Sequence, residues 1–328
     1  MRGGQAGAKL RTRSAKLQEF ARREPLALAG AVVLVGIVII AILAPVIAPY
    51  GQTEIVGPSY STPSAAHPLG LDNLGLDVLS LLLQGARISM LVGFLAAFIA
   101  VIIGGLVALL AGYYGGLLDR VLTAIVDYFL VIPILPLAVV VSALWGPSLR
   151  NEIIVIALLS WAPTTRIVGP QVKSLRQRTF VARARSVGAS NLRVIVRHIL
   201  PSVSSLLAAS MVISVGNAVF FEAALSFLGL GDPTYVSWGR MIQSAFTSGA
   251  MSVGAWWAIV PPGLAIGIVI VSTSLVARAL DGTRNRRSGS GYLGMYSFRV
   301  RSKSVERLTS QSTVVPDPRV PAGDKYGS

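Results

Sequence analysis

The stretch Thr179-Phe-Val-Ala-Arg-Ala-Arg-Ser-Val-Gly-Ala-Ser-Asn-Leu-Arg-Val-Ile-Val-Arg-His-Ile-Leu-Pro201 carries four arginines and no acid. Phe180 to Val187 suits two helical turns, with small Ala182 and Ala184 set among the arginines. Gly188 closes that helix, because glycine takes the left-handed conformation of a C-terminal cap cheaply. Ser190 or Asn191 caps a second helix. Along it Leu192, Ile195 and Ile199 share a stripe, with Arg193 and Arg197 elsewhere. Pro201 marks the start of a long apolar run. The result is a short helix–turn–helix with a small-residue face and a cationic rim. Two roles stay open on these residues alone: a surface helix drawn to anionic lipid, or a docking element for another protein.

Outward from this stretch the chain is dominated by apolar runs. Hydrophobic residues make up 53% of the 328 and charged residues 13%, with a mean hydropathy of +0.67. A soluble chain carries about 25% charged residues, so lipid is the expected solvent. A helical span needs roughly 20 apolar residues. Pro25–Ile47 has no charge; further candidates are about Ile88–Tyr113, about Val121–Leu144 (holding Asp127) and about Ile153–Val168. Pro201–Leu228, which holds Glu222, and Ala255–Ala277 complete six. Pro163, Pro170 and Pro201 blur the fourth and fifth. The fold class is an all-α membrane protein of about six transmembrane helices. Pro25–Ile47 exceeds the roughly 7–15-residue apolar core of a cleaved signal peptide and reads as a signal anchor.

The formal charge of +15 is concentrated in three blocks. Seven basic residues precede Pro25, eight lie between Arg166 and Arg197, and ten lie between Arg278 and Lys325. Each block abuts an apolar run, which the positive-inside rule explains without nucleic acid. Residues 1–24 are then a cytoplasmic N-terminus and 25–47 the first span. Residues 48–87 form an extracytoplasmic segment, and 88–277 a five-helix core containing the cytoplasmic loop 169–200. Residues 278–328 are a basic cytoplasmic tail, mostly disordered from Gly282 onward by composition.

Several chemistries are excluded by composition. Cysteine is absent and only His67 and His198 are present, so disulfides, thiolate or histidine metal centres and a Cys or Ser–His nucleophile lack their parts. No phosphate loop, G-x-S-x-G elbow or H-E-x-x-H pair occurs. The pairs Gly104-Gly105 and Gly115-Gly116 suit turns and close helix packing. An ion-coupled carrier would need buried carboxylates, for which Asp127 and Glu222 are the candidates; helix packing with a polar partner or a snorkelled end is the more ordinary account of both, and two isolated acids are thin support for such a carrier.

The loop resembles the EAA loop of binding-protein-dependent ABC importer permeases, E-A-A-x3-G-x9-I-x-L-P. Ala184, Gly188, Leu200 and Pro201 fall in register, while Ala182, Arg183 and His198 depart from it. Arg197-His-Ile-Leu-Pro201, with Val181, Ala184, Arg185 and Gly188, is similar to the dipeptide/oligopeptide branch. So are Leu26 to Tyr50, His67-Pro-Leu-Gly-Leu-Asp-Asn-Leu-Gly-Leu-Asp-Val-Leu-Ser80, Gly85-Ala-Arg-Ile-Ser89, Gly112-Tyr-Tyr-Gly-Gly116, Glu222 to Gly231 and Ser237-Trp-Gly-Arg240. Leu71, Leu76 and Leu81 stand where that branch has polar or basic residues.

The resemblance implies a C-type permease subunit with the type I ABC importer fold, in a prokaryotic plasma (inner) membrane with both termini cytoplasmic. It implies as partners a second homologous permease, two ABC ATPase subunits, an extracytoplasmic substrate-binding protein and membrane lipid, with no nucleic acid. ATP and Mg would sit on the partner ATPase, leaving this chain no cofactor and no enzyme activity of its own. Ala184, Arg185, Gly188, Ala189, Arg197, Leu200 and Pro201 would form the ATPase-coupling loop, and His67 to Ser80 would face the binding protein. Expected cargo is di- or oligopeptides, with oligosaccharides, glutathione or nickel chelates as alternatives in the same branch.

Overall fold

The computed structural model describes residues 24–292. The chain divides into units Met1–Thr283 and Arg284–Ser328. The second is described only over its helical start, so most of the tail expected to be disordered lies outside the described residues. The basic N-terminal block lies outside them too.

Helix α1, Pro25–Ile47, opens with proline in its first turn, where a missing N–H costs nothing, and ends before the extended Ala48. Helix α2, Val78–Tyr114, is capped by Asp77, whose carboxylate accepts the Ser80 N–H, and stops at Gly115 with φ +68°. It begins ten residues before Ile88, because Asp77 supplies a cap that the apolar pattern alone does not register. Helices α3 (Gly116–Val131) and α4 (Ile134–Trp145) follow, bent by 89° at their break. Helices α5 (Leu149–Leu159) and α6 (Ala162–Arg176) run on as one span. Helix α7 covers Thr179–Ser186 and α8 covers Asn191–Val194. A π-turn at Ile195–Ile199 joins α8 to α9, Leu200–Phe227. Beyond it lie α10, Trp238–Thr247, a 3₁₀ turn at Trp256–Ala258 and α11, Val260–Tyr292. The backbone of α11 therefore stays helical past Gly282.

Five helical segments are long and apolar enough to cross a bilayer, and the bent pair α3–α4 brings the number to six if it counts as one span. The straight span expected over Val121–Leu144 is corrected here. Pro133 has no N–H to continue the helix, and its ring holds Ile132 in an extended conformation (ψ 131°).

Helix α2 is the axis of the bundle. Its small residues let neighbours approach closely: a Cβ on Gly104 would lie 2.5 Å from the Trp161 carbonyl, and one on Gly112 2.7 Å from the Val172 side chain. Thr165 Oγ1 donates to the Gly104 carbonyl at 2.9 Å across the α2–α6 contact. In lipid such packing and hydrogen bonding supply the helix–helix attraction that water would otherwise drive. Gly104 thus serves helix packing, as expected.

At one end of the bundle the connections 48–77 and 228–255 fold over the helices. Asp77 is buried, its Oδ1 lies 3.0 Å from His67 Nδ1 and its Oδ2 accepts the Ser80 hydroxyl at 2.8 Å. Trp257 Nε1 donates to the Leu71 carbonyl at 3.1 Å. Leu71, Leu76 and Leu81 are all buried. These apolar side chains pack within the fold, where polar ones would lack partners.

Candidate functional site

The loop joining α6 to α9 is built from the alternation of small, basic and turn-forming residues. Helix α7 ends as its C-terminal carbonyls are taken by the turn: Gly188 N–H donates to Arg185 O at 2.9 Å and Ala189 N–H to Ala184 O at 3.1 Å. Gly188 sits at φ +79° with open space where a Cβ would be, so its need is conformational and not steric. Ser190 then accepts the Arg193 N–H and starts α8. Both elements of the expected helix–turn–helix are present.

Its buried face differs from the expected stripe. Val181, Val194, Ile195 and Ile199 pack with Tyr113, Val168 and Val172, and Ala184, Ala189 and Leu200 flank them. Leu192 is instead 69% exposed. Beyond it a π-turn leads into α9, the Leu200 N–H reaching back five residues to Ile195 O. Pro201 accounts for that turn, since an α-helix would place its ring against the Arg197 carbonyl.

The outward face combines charge and apolar area. Phe180, Arg183, Val187, Arg193, Arg197 and His198 line a shallow groove of about 500 Å³, floored by Ala184 and Ala189. Val187 is 84% exposed, and the Phe180 and His198 rings lie 6.2 Å apart. Arg185 points elsewhere. Its guanidinium carbon lies 4.9 Å over the Tyr113 ring, while Tyr113 Oη donates to Asn191 Oδ1 at 2.8 Å. Of the seven residues singled out, Arg197, Ala184 and Ala189 line the groove. Arg185 braces the turn against α2, Gly188 forms it, and Leu200 and Pro201 set the helix that leaves it. Phe180, Val187 and His198 are additions the EAA pattern did not signal, and Tyr113 could be suspected only from Gly112-Tyr-Tyr-Gly-Gly116.

The two candidate carboxylates have structural partners. Asp127 Oδ1 accepts from Arg166 at 2.9 Å, and Lys173 meets Asp119 at 2.8 Å nearby. Glu222 is fully buried and accepts from Ser89 at 2.8 Å and Ser226 at 3.0 Å. Ser226 also lies 3.4 Å from Glu152 Oε1. Glu152 is likewise buried, on α5, and its neighbours Arg150 and Asn151 give no sign of that in the sequence.

Comparison with known proteins agrees with this architecture. Residues 100–287 match the family model of the binding-protein-dependent transport system inner membrane component, and residues 21–65 that of the N-terminal transmembrane domain of oligopeptide transport permease C. The glutathione transport system permease protein GsiD of Shigella flexneri serotype 5b is 38% identical over 269 residues, covering 80% of this chain and 86% of that protein. The dipeptide transport system permease protein DppC of Alkalihalophilus pseudofirmus is 34% identical over 267 residues, with the same coverage. A chain of the inward-facing MetNI methionine ABC transporter aligns with TM-score 0.46 and 19% identity, over 62% of this chain and 97% of that one. With more than half of its length matching the permease model and with relatives this similar, the chain belongs to the binding-protein-dependent inner membrane components, as a multi-pass permease of the ABC importer family.

Proposed function

We propose that this permease conducts short peptides inward and is driven by a separate ATPase that docks on the groove between α7 and the π-turn. The observation that carries the docking site is the turn at Gly188, which presents Phe180, Val187 and four cationic or potentially cationic side chains on one open face. An apolar side chain ringed by arginines suits a protein cleft with acidic walls. A lipid surface would take up the arginines but leave the narrow, rigid turn without a purpose. This face and both termini are cytoplasmic in this reading, because the basic residues of the sequence fall before the first span, between the fourth and fifth, and after the sixth. A second permease completes the pathway, and a binding protein delivers cargo to the opposite end. Short peptides are the cargo because GsiD and DppC are named for glutathione and dipeptides, both of that class.

The test is gentle purification of the full chain from its native membrane, with partners identified by mass spectrometry. Recovery of a second permease, ATPase subunits and a binding protein, followed by ATP-dependent uptake of a labelled dipeptide in vesicles, is expected. Isolation of the chain alone, under conditions that keep a known importer together, would overturn the coupling assignment.

A further inference from the structure

At the end of the bundle opposite the α7 turn, a cavity of about 370 Å³ opens between residues 52–55, the segment 72–81 and residues 233–245. Its volume lies at the low end of ligand pockets, which run from about 300 to 1,000 Å³. Most of the wall is apolar, from Leu74, Leu76, Val236 and Met241, but two charged side chains of opposite sign also line it: Asp72 and Arg240. They form no ion pair with each other; the ion pairs among the described residues are His67–Asp77, Arg166–Asp127 and Lys173–Asp119.

Backbone groups hold each charge at the cavity wall. Asp72 Oδ1 accepts from the Leu74 and Leu76 N–H groups at 2.8 and 2.9 Å. Burial pushes its carboxyl above the ordinary range, against the opposing pull of the Leu76, Leu74 and Gly75 N–H groups, and no cation contributes. Arg240 donates one N–H to the Asp232 carbonyl at 3.2 Å, which orients the guanidinium and leaves the rest of its fork for another acceptor. The neighbouring Asp232 carboxylate is occupied by Leu149, Thr234 N–H and the Thr234 hydroxyl.

A cavity with a fixed guanidinium, a separate carboxylate without a cation and apolar walls between them fits a zwitterion with a hydrophobic middle. We propose that it binds a short peptide by both ends, Arg240 taking the terminal carboxylate and Asp72 the terminal ammonium, with side chains against Leu76 and Met241. An arginine fork matches a carboxylate in two parallel hydrogen bonds. The ammonium supplies the positive charge that the half-buried Asp72 lacks. The assignment rests on the peptide-permease reading and deepens it, by giving this chain its own contact with cargo as it is handed over.

The experiment measures binding of labelled alanyl-leucine, its N-acetyl form and its C-terminal amide to the purified importer complex in lipid nanodiscs without binding protein. Capping either end should weaken binding to the wild type about tenfold, as loss of one charge-assisted contact does. Arg240→Gln should remove the penalty for the amide alone, and Asp72→Asn the penalty for the acetyl cap alone. Arg240→Lys, which keeps charge without the fork, should restore part of the first, and it replaces Arg240→Gln if that variant does not assemble. Absence of alanyl-leucine binding, equal binding of capped and free peptide, or cap penalties unchanged in both variants would each overturn the site. Dipeptide uptake by the complete importer separates the two levels. Uptake without binding in the cavity removes the site and leaves the permease reading intact. Absence of peptide uptake, alongside uptake of another cargo, removes the reading itself.

Discussion

At Gly188 the demand falls on the backbone and not on space. No neighbour stands where its Cβ would be, so the cost of substitution is the left-handed backbone, about 1–2 kcal/mol for an L-residue and more for a β-branched one. Gly188→Val should abolish ATP-coupled uptake while the chain still inserts in the membrane; Gly188→Asn, which tolerates this conformation, should retain most of it. Normal uptake by a well-expressed Gly188→Val variant would refute the role given to the turn. Asp232 acts through charge. Burial would raise its carboxyl, but the Thr234 hydroxyl and N–H, the Leu149 N–H and nearby Arg240 together hold it below the ordinary 3.8. A lowered folded-state value means that its contribution is fully present above pH 3.8 and disappears as the pH falls through the lower folded value. The thermal stability of wild type should therefore exceed that of Asp232→Asn at pH 6, with the gap closing in that acidic window. A gap independent of pH would show that the carboxylate's charge is not what matters. Glu222 is a packing acceptor in the same sense. Glu222→Leu leaves two serine hydroxyls short of a partner and should cost about 1–3 kcal/mol, read as a lower unfolding temperature in detergent.

At the level of elements, the α7–α8 turn was legible because its signals are local. Gly188 at a helix end and Ser190 at a helix start each act within a few residues, and both sit where their chemistry puts them. Features that depend on three dimensions were not. Leu192 was placed on the apolar stripe by an α-helical period, but Val194, and not Leu192, joins Ile195 and Ile199 in the packed face. Nothing beside Arg150 signals the burial of Glu152, and only the packing of α5 on α9 brings it to Ser226. Leu71, Leu76 and Leu81 are buried, and the Trp257 indole that meets the Leu71 carbonyl lies far away in the sequence. The groove on α7 carries its own expectation. Arg183→Glu reverses one exposed charge, and exposed ion pairs contribute about 0–1 kcal/mol. ATPase association should weaken by no more than about fivefold in low salt, and the difference should fade as salt is raised. An effect that persists in high salt would place Arg183 in a desolvated contact instead of on a rim.

For the whole molecule, the reading of about six crossings came from hydropathy; the described residues give five spans, and six where the bent pair α3–α4 counts as one. Sidedness can be read directly because the chain contains no cysteine. Thr53→Cys, on the outer connection, should react with a membrane-impermeant maleimide in intact cells. Ser186→Cys, on α7, should react only after the membrane is opened. Labelling of Ser186→Cys in intact cells would invert the assignment and place the groove on the wrong side for an ATPase. The 89° corner at Ile132-Pro133 bears on what surrounds the chain. Hydrocarbon offers no hydrogen bonds, and a backbone that turns there must meet protein or water. Val131 and Tyr128, at that corner, are open in the isolated chain. Counted as one crossing, the pair therefore acts as a signpost. A greasy photoreactive probe dissolved in the bilayer should miss Val131 while marking the flanks of α1, because oil cannot wet a corner that only a neighbour or a water column can satisfy.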